Sequence, residues 1–225
     1  MKKLVSFCLA VIMIFAILPV SAFAAESDNF ESYDYQVALA KQVFPEYRDK
    51  LEGKSVTANA GQPRACAEKP IITVRETRPV DDNTDMTYTE YDNGLVTLST
   101  ARFQKEADYE VTGEKAYSSY TEYTAKIVAS VLDGPNFTAT GVKYRIYPSA
   151  YDKVMSVGSY SIPSYSSSQF TVTRRETEKA GTTGFAYASY EFPCPVGISN
   201  YGGQILFKVQ NNNAAVEFNI SDERG

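Results

Sequence analysis

Between Ile72 and Ile220, apolar and polar side chains alternate with a period of two, and this alternation constrains the fold more tightly than any other feature of the chain. Ile72 and Val74 alternate with Thr73 and Arg75, Val142, Tyr144 and Ile146 with Lys143 and Arg145, and Val216, Phe218 and Ile220 with Glu217 and Asn219. Successive side chains of a strand point to opposite faces, so these segments read as antiparallel strands that hide one face and wet the other. Asn93-Gly94, between Met86–Tyr91 and Leu95–Leu98, predicts a hairpin closed by a tight primed turn. Further turn signals fall at Gly113, Asp133-Gly134-Pro135, Pro148, Pro163, Gly181 to Gly184, Gly202-Gly203 and Asn211-Asn212-Asn213. Their spacing predicts roughly eight to ten short strands, an all-β, mainly antiparallel β-sandwich over residues 71–225.

One segment has the other period. From Asp28 to Gly53, the residues Tyr33, Val37, Ala40, Phe44, Tyr47 and Leu51 recur at steps of four and three, the spacing of one helix face. Asp28 with Glu31 is the expected opening cap and Gly53 the expected left-handed terminator. Pro45 removes an amide donor and clashes with the carbonyl four residues back, which predicts a kink or two abutting helices. This amphipathic helix, assigned to 25–53, is expected to pack across the β domain; an apolar stripe that docks a partner is the second reading. Residues 54–70, with Gly61, Pro63 and Pro70, carry no periodicity and read as a linker. The stretch Val43-Phe44-Pro45-Glu46-Tyr47 resembles lead-in helices of exported proteins from Gram-positive bacteria and implies no activity.

The first 24 residues have the layout of an export signal. Lys2 and Lys3 form a charged head, Leu4 to Leu18 are almost wholly apolar, and Ser21-Ala22-Phe23-Ala24 supplies small residues for cleavage. The apolar run is shorter than the ~20 residues a spanning helix needs, so a signal peptide at 1–24 is expected rather than an anchor. Localisation is therefore read as secreted, with no stable membrane anchor after cleavage. Cys8 would leave with the signal. Of the remaining cysteines, Cys66 and Cys194 are expected to form a disulfide, which on closing so long a loop would stabilise by about 4–5 kcal/mol. Two separately buried thiols are the competing reading.

Absences bound the chemistry. The chain has no His, which removes Ser-His-Asp and Cys-His catalysis and His-ligated metals from consideration. With 27 acidic against 22 basic residues and a net charge of −5, it is not expected to bind nucleic acid. Asp81, Asn83 and Asp85 place oxygen ligands at alternate positions, as calcium prefers. Met86 stands where a calcium loop turns on Gly, however, and a strand starts at once, so a solvated turn is the leading reading and Ca2+ the secondary one, with no other cofactor expected. Hydrolysis without His would fall to paired carboxylates. Glu90 and Glu122, each within Tyr-Thr-Glu-Tyr, form the first candidate pair, and Glu76 with Glu176 the second. Strand parity turns these glutamates outward, where such residues are ordinarily solvated.

The 17 tyrosines are the most informative surplus. Tyr suits strands, filling a core with its ring while its hydroxyl stays wet, and part of the surplus is architecture. The rest could form an exposed aromatic patch, and Tyr147, Tyr151, Tyr160 and Tyr165, which flank a Ser-rich stretch, are the candidate ligand-binding residues. The Ser/Thr alternation from Ser156 to Thr173 also admits a membrane-active, pore-forming hairpin, which Pro163 disfavours. Sequons at Asn136 and Asn219 would matter only in a host that glycosylates. The sequence thus leads to the expectation of an exported, tyrosine-rich binding module for an extracellular glycan or protein, without catalysis, ahead of a carboxylate glycan hydrolase and a pore-forming toxin.

Overall fold

A computed structural model describes residues 29–53, 70–110, 119–148, 152–162, 170–175, 186–192 and 202–221. Cys66, Cys194, Glu176, Tyr151, Tyr165, the export signal and the linker 54–69 lie outside the described residues. The chain divides into compact units at Phe30/Glu31. Nearly all of the first lies outside the described residues, and the elements below belong to the second.

Two antiparallel sheets form the β-sandwich that the period-two pattern predicts. The larger runs β1 (Ile72–Asp81), β2 (Thr84–Tyr91), β3 (Val96–Tyr109), β4 (Tyr120–Val131), β5 (Asn136–Ile146) and β6 (Lys153–Ser156) in sequence order, with β7 (Ser159–Ser161) also paired to β5. The smaller has the order β11 (Asn213–Ser221), β10 (Gly202–Gln210), β9 (Ala186–Phe192), β8 (Thr171–Arg175). Apart from β7, which returns to pair with β5 rather than β6, strands that neighbour one another in sequence within a sheet pair with one another, so both sheets are meanders. The inner faces meet in a core that includes Ala101, Ile127, Phe137, Val142 and Tyr144 from the larger sheet and Tyr190, Phe192, Ile205, Phe207 and Phe218 from the smaller.

Polar groups clasp the sandwich. Tyr91, 2% exposed, has its hydroxyl between the sheets, where it donates to the Phe218 carbonyl at 3.3 Å and accepts from the Ile220 amide at 3.2 Å. The Arg75 guanidinium donates to the same Phe218 carbonyl at 3.2 Å and to Asn219 Oδ1 at 2.7 Å. A buried hydroxyl must find partners, and here they fix the two sheets in register.

A third layer covers part of the outer face of the larger sheet. It is built from α1 (Tyr33–Val43), a 3-10 turn (Pro45–Tyr47) and α2 (Arg48–Glu52), the broken helix expected at Pro45. Met86, Tyr88, Leu98 and Val128 project from the sheet on that side, and all are fully buried. This explains why β2, the first half of β3 and the second half of β4 are buried on both faces and do not alternate.

The buried face of the helix differs from the expected one. Tyr35, Gln36, Leu39 and Ala40 are buried, whereas Tyr33 and Val37 line an open groove of about 410 Å³ with Leu51, Leu132 and Asp133. The break at Pro45 re-aims Phe44 and Leu51 independently of α1, so a single helical phase cannot run through all six residues. Thr100 on β3 donates a hydrogen bond to Gln36 Oε1, which lets an amide occupy a position that periodicity assigns to an apolar side chain. The caps differ too. Ser32, not Asp28, is the N-cap residue and makes no side-chain bond, and Gly53 has φ −66° rather than a left-handed conformation.

Two turns also depart from expectation. At 92–95 only Gly94 has positive φ (81°), so this is not a two-residue primed turn; the Gly94 amide bonds to the Tyr91 carbonyl at 3.0 Å across a longer loop. The primed turn sits instead at Asn211-Asn212, with φ of 52° and 62° between paired Gln210 and Asn213. Gly202-Gly203 is not a turn but the start of β10. A Cβ on Gly203 would come within 2.3 Å of the buried Phe192 ring on β9, so glycine is there for close approach.

Candidate binding surface

Among the described residues, the helical layer does not reach the ends of β3, β4 and β5 farthest from α1, where the outward side chains are half-buried to exposed. Register places Tyr109 on β3 opposite Tyr120 on β4, and Glu122 on β4 opposite Arg145 on β5. The rings of Tyr109 and Tyr120 stack with centroids 4.6 Å apart, and Tyr147 lies 5.2 Å from Tyr120. Arg145 sits over the Tyr120 ring at 4.3 Å while its Nε donates to Glu122 Oε2 at 2.8 Å. Burial works against the charge of Arg145, but the bonds to Glu122 and Tyr147 outweigh it and hold the guanidinium cationic. Tyr109, at 43% exposure, is one of three large hydrophobic residues exposed among those described. The exposed Tyr109, the half-buried Tyr147 and an oriented arginine on a strand scaffold offer aromatic surface, hydroxyls and a fixed cation to a ligand, while the Tyr120 ring is engaged by Tyr109 and Arg145 and holds them in place.

Asp152 anchors this corner from beneath. It is 6% exposed and accepts the Tyr147 amide at 3.1 Å and the Asn212 amide, tying the end of β5 to the β10–β11 turn. Burial raises its carboxyl above the ordinary range, and the two backbone bonds only partly offset that. Neither Asp152 nor Tyr109 stands out in the sequence. The alternation Val142 to Ile146 does place Lys143 and Arg145 on the wet face, and that signal leads to this surface.

The other candidate residues are dispersed. Tyr160 packs half-buried against Phe170 and Tyr190 at 5.4 Å each, as an extension of the core rather than a platform. Tyr88, Tyr91, Tyr144 and Tyr190 are buried, so much of the tyrosine surplus is architecture. Asp81 Oδ1 accepts the Asn83 amide at 2.8 Å in the β1–β2 turn, and Asp85, half-buried on β2, has its carboxyl raised by burial and by Asp81. Among the described residues, no group of three or more acidic or Cys side chains converges as a metal site.

Glu90 pairs with Lys50 at 2.5 Å and Glu122 with Arg145, and with side chains only 16% and 15% exposed both are partly covered rather than solvated as expected. Their β3 partners, Val96 for Glu90 and Ala107 for Glu122, are at opposite ends of that strand. At the usual strand rise this separates the two carboxylates by roughly 35 Å, far beyond a glycosidase pair. Glu76 instead accepts from Tyr47 at 2.6 Å and from Arg78 at 2.5 Å. Both sequon side chains are engaged as well: Asn136 Nδ2 donates to the Glu31 carbonyl at 2.5 Å, and Asn219 Oδ1 accepts from Arg75.

No family model, curated protein or solved structure matches the chain. The site therefore rests on its geometry.

Proposed function

We propose that the protein is an exported, non-catalytic module that binds an extracellular glycan through the outer face of its larger sheet, beyond the reach of the helical layer. The observation that carries this reading is the contiguous row Tyr109–Tyr120–Tyr147 with Arg145 stacked on its middle ring. The three-part layout of residues 1–24 supports export. A glycan suits this surface better than a protein partner does, because the tyrosines continue into Gln104 and Thr124, which pair across β3 and β4, rather than into the apolar centre a protein interface needs.

A glycan array probed with the purified protein and with Tyr109→Ala tests this. Tyr109 is exposed, so the variant should fold. The expected result is binding by the parent and a loss of about fivefold or more in the variant, the cost of one aromatic platform of about 1–3 kcal/mol. Equal binding by both proteins, or none by the parent, would overturn the reading.

A further inference from the structure

We infer that Tyr47 and Tyr88 form an oxidative cross-linking site, at which a peroxidase-type one-electron oxidant driven by hydrogen peroxide joins the two rings by a carbon–carbon bond and ties the helical layer covalently to the larger sheet. The rings lie nearly parallel, 6° apart in plane with centroids 4.4 Å apart, one carried by the 3-10 turn and the other by β2. Fully buried Phe44 packs beside the stack, 5.8 Å from Tyr88. Half-buried Tyr47 leaves one member of the pair open to an oxidant.

Each phenol has its own proton acceptor. Tyr47 donates to Glu76 Oε1 at 2.6 Å and Tyr88 to Glu90 Oε2 at 3.4 Å. Register explains the arrangement: Glu76 on β1 stands opposite Tyr88 on β2, so a phenol stacked on Tyr88 reaches Glu76. The Glu76 bond holds the Tyr47 phenol above its ordinary value, and burial does the same for Tyr88, so both keep their protons at neutral pH. A phenol yields an electron readily only when its proton can leave with it, because the oxidised ring is a far stronger acid than a carboxylic acid. The ion pairs around the stack join three carboxylates, Glu46, Glu76 and Glu90, to two cations, Arg78 and Lys50, and that excess of negative charge also favours removal of an electron.

The reaction balances. Tyr47 loses one electron to the oxidant and its proton to Glu76. The Tyr47 radical takes an electron from Tyr88, whose proton passes to Glu90, recovers its own proton from Glu76, and is oxidised a second time. The two radicals couple at ring carbons ortho to the hydroxyls, and the hydrogen on each coupled carbon shifts to its oxygen, restoring both phenols. Net, the pair gives up two electrons and two protons while one hydrogen peroxide is reduced to two waters. Other stacked pairs meet fewer of these conditions. Tyr109 and Tyr120 lie 24° apart in plane, and the Arg145 cation over the Tyr120 ring opposes loss of an electron. Tyr123 stacks on Tyr144, but among the described residues no carboxylate accepts from the Tyr144 phenol.

The test treats the dilute purified protein with a peroxidase and hydrogen peroxide, then digests it for mass spectrometry. Expected is an intramolecular peptide pair joined between Tyr47 and Tyr88, two hydrogens lighter than its separate parts. Tyr47→Phe keeps the stacked ring without the phenol and should lose this link. Glu76→Gln should form it at an initial rate about tenfold or more below the parent, whereas Glu46→Gln, which removes the other carboxylate on Arg78 but no phenol acceptor, should stay within about twofold. Oxidation should slow amide exchange across residues 33–43 in the parent and not in Tyr47→Phe. Coupling absent, confined to other tyrosine pairs or only between molecules would overturn the proposal, as would a link that leaves exchange across 33–43 unchanged. Rates that fall equally in Glu76→Gln and Glu46→Gln, or in neither, would overturn Glu76 as the proton acceptor on which it stands.

Discussion

Asp152 shows most plainly how one residue can couple stability to the site. Its folded carboxyl titrates above the ordinary Asp value of 3.8 because burial penalises the charge, so the native state holds this proton more tightly than the unfolded chain does. A raised carboxylate adds stability at low pH that is lost as pH rises from the unfolded value through the folded one. Asp152→Asn removes the charge and keeps one side-chain oxygen to accept the Tyr147 amide. Chemical denaturation across pH 3 to 7 should show the variant gaining on the parent as pH rises; a parallel pair of curves would contradict this account. Asp152 is not legible in the sequence, because a lone Asp beside a strand end looks solvated until the β10–β11 turn is seen to donate to it. Lys143 and Arg145 are legible, since parity alone places them outside.

Among the elements, the strands are readable and the helical layer only in part. Period two identifies β5 and β11 because each hides one face and wets the other; β1 departs from the expectation, since none of its residues is buried, Ile72 is 39% exposed and a register shift falls between Ile72 and Val74. The pattern also fails over the first half of β3, where Val96 to Ala101 are all buried, because α1 covers the second face and polarity there no longer tracks solvent. For α1, periodicity gives the helix but not its face, because a buried Gln bonded to a Thr is invisible to an apolar count. A polar clamp holds this layer down. Arg78 of β1 donates to the Val43 carbonyl at 3.0 Å and to Glu46 and Glu76, and lies 4.9 Å from the Phe44 ring centroid. Tyr47 stacks on Tyr88 at 4.4 Å and donates to Glu76. Arg78→Ala should therefore speed amide exchange across residues 33–43 while β3 and β4 remain protected; uniform acceleration through both would mean the layer is not a separable unit. Glu46 is held low mainly by Arg78, and Glu76 by the Tyr47 hydroxyl and then Arg78. These carboxylates contribute above their unfolded value of 4.5, and the clamp should loosen as pH falls through their lower folded values.

At the scale of the whole molecule, a helical layer, a larger sheet and a smaller sheet stack so that the larger sheet meets the smaller on one side and is partly covered by the helices on the other. The fold class follows from alternation, because burying one face of each strand leaves a sandwich as the compact solution. The site does not follow from alternation, because it depends on where α1 stops covering the sheet and on a register that sets Tyr109 beside Tyr120. The most direct test is an amide chemical-shift titration of the isotope-labelled protein with a glycan that the parent binds on the array. Perturbations centred on Tyr109, Tyr120, Arg145 and Tyr147, with β9 to β11 unmoved, are the predicted result. Perturbations confined to the smaller sheet, or to the groove beside Tyr33 and Val37, would contradict the account.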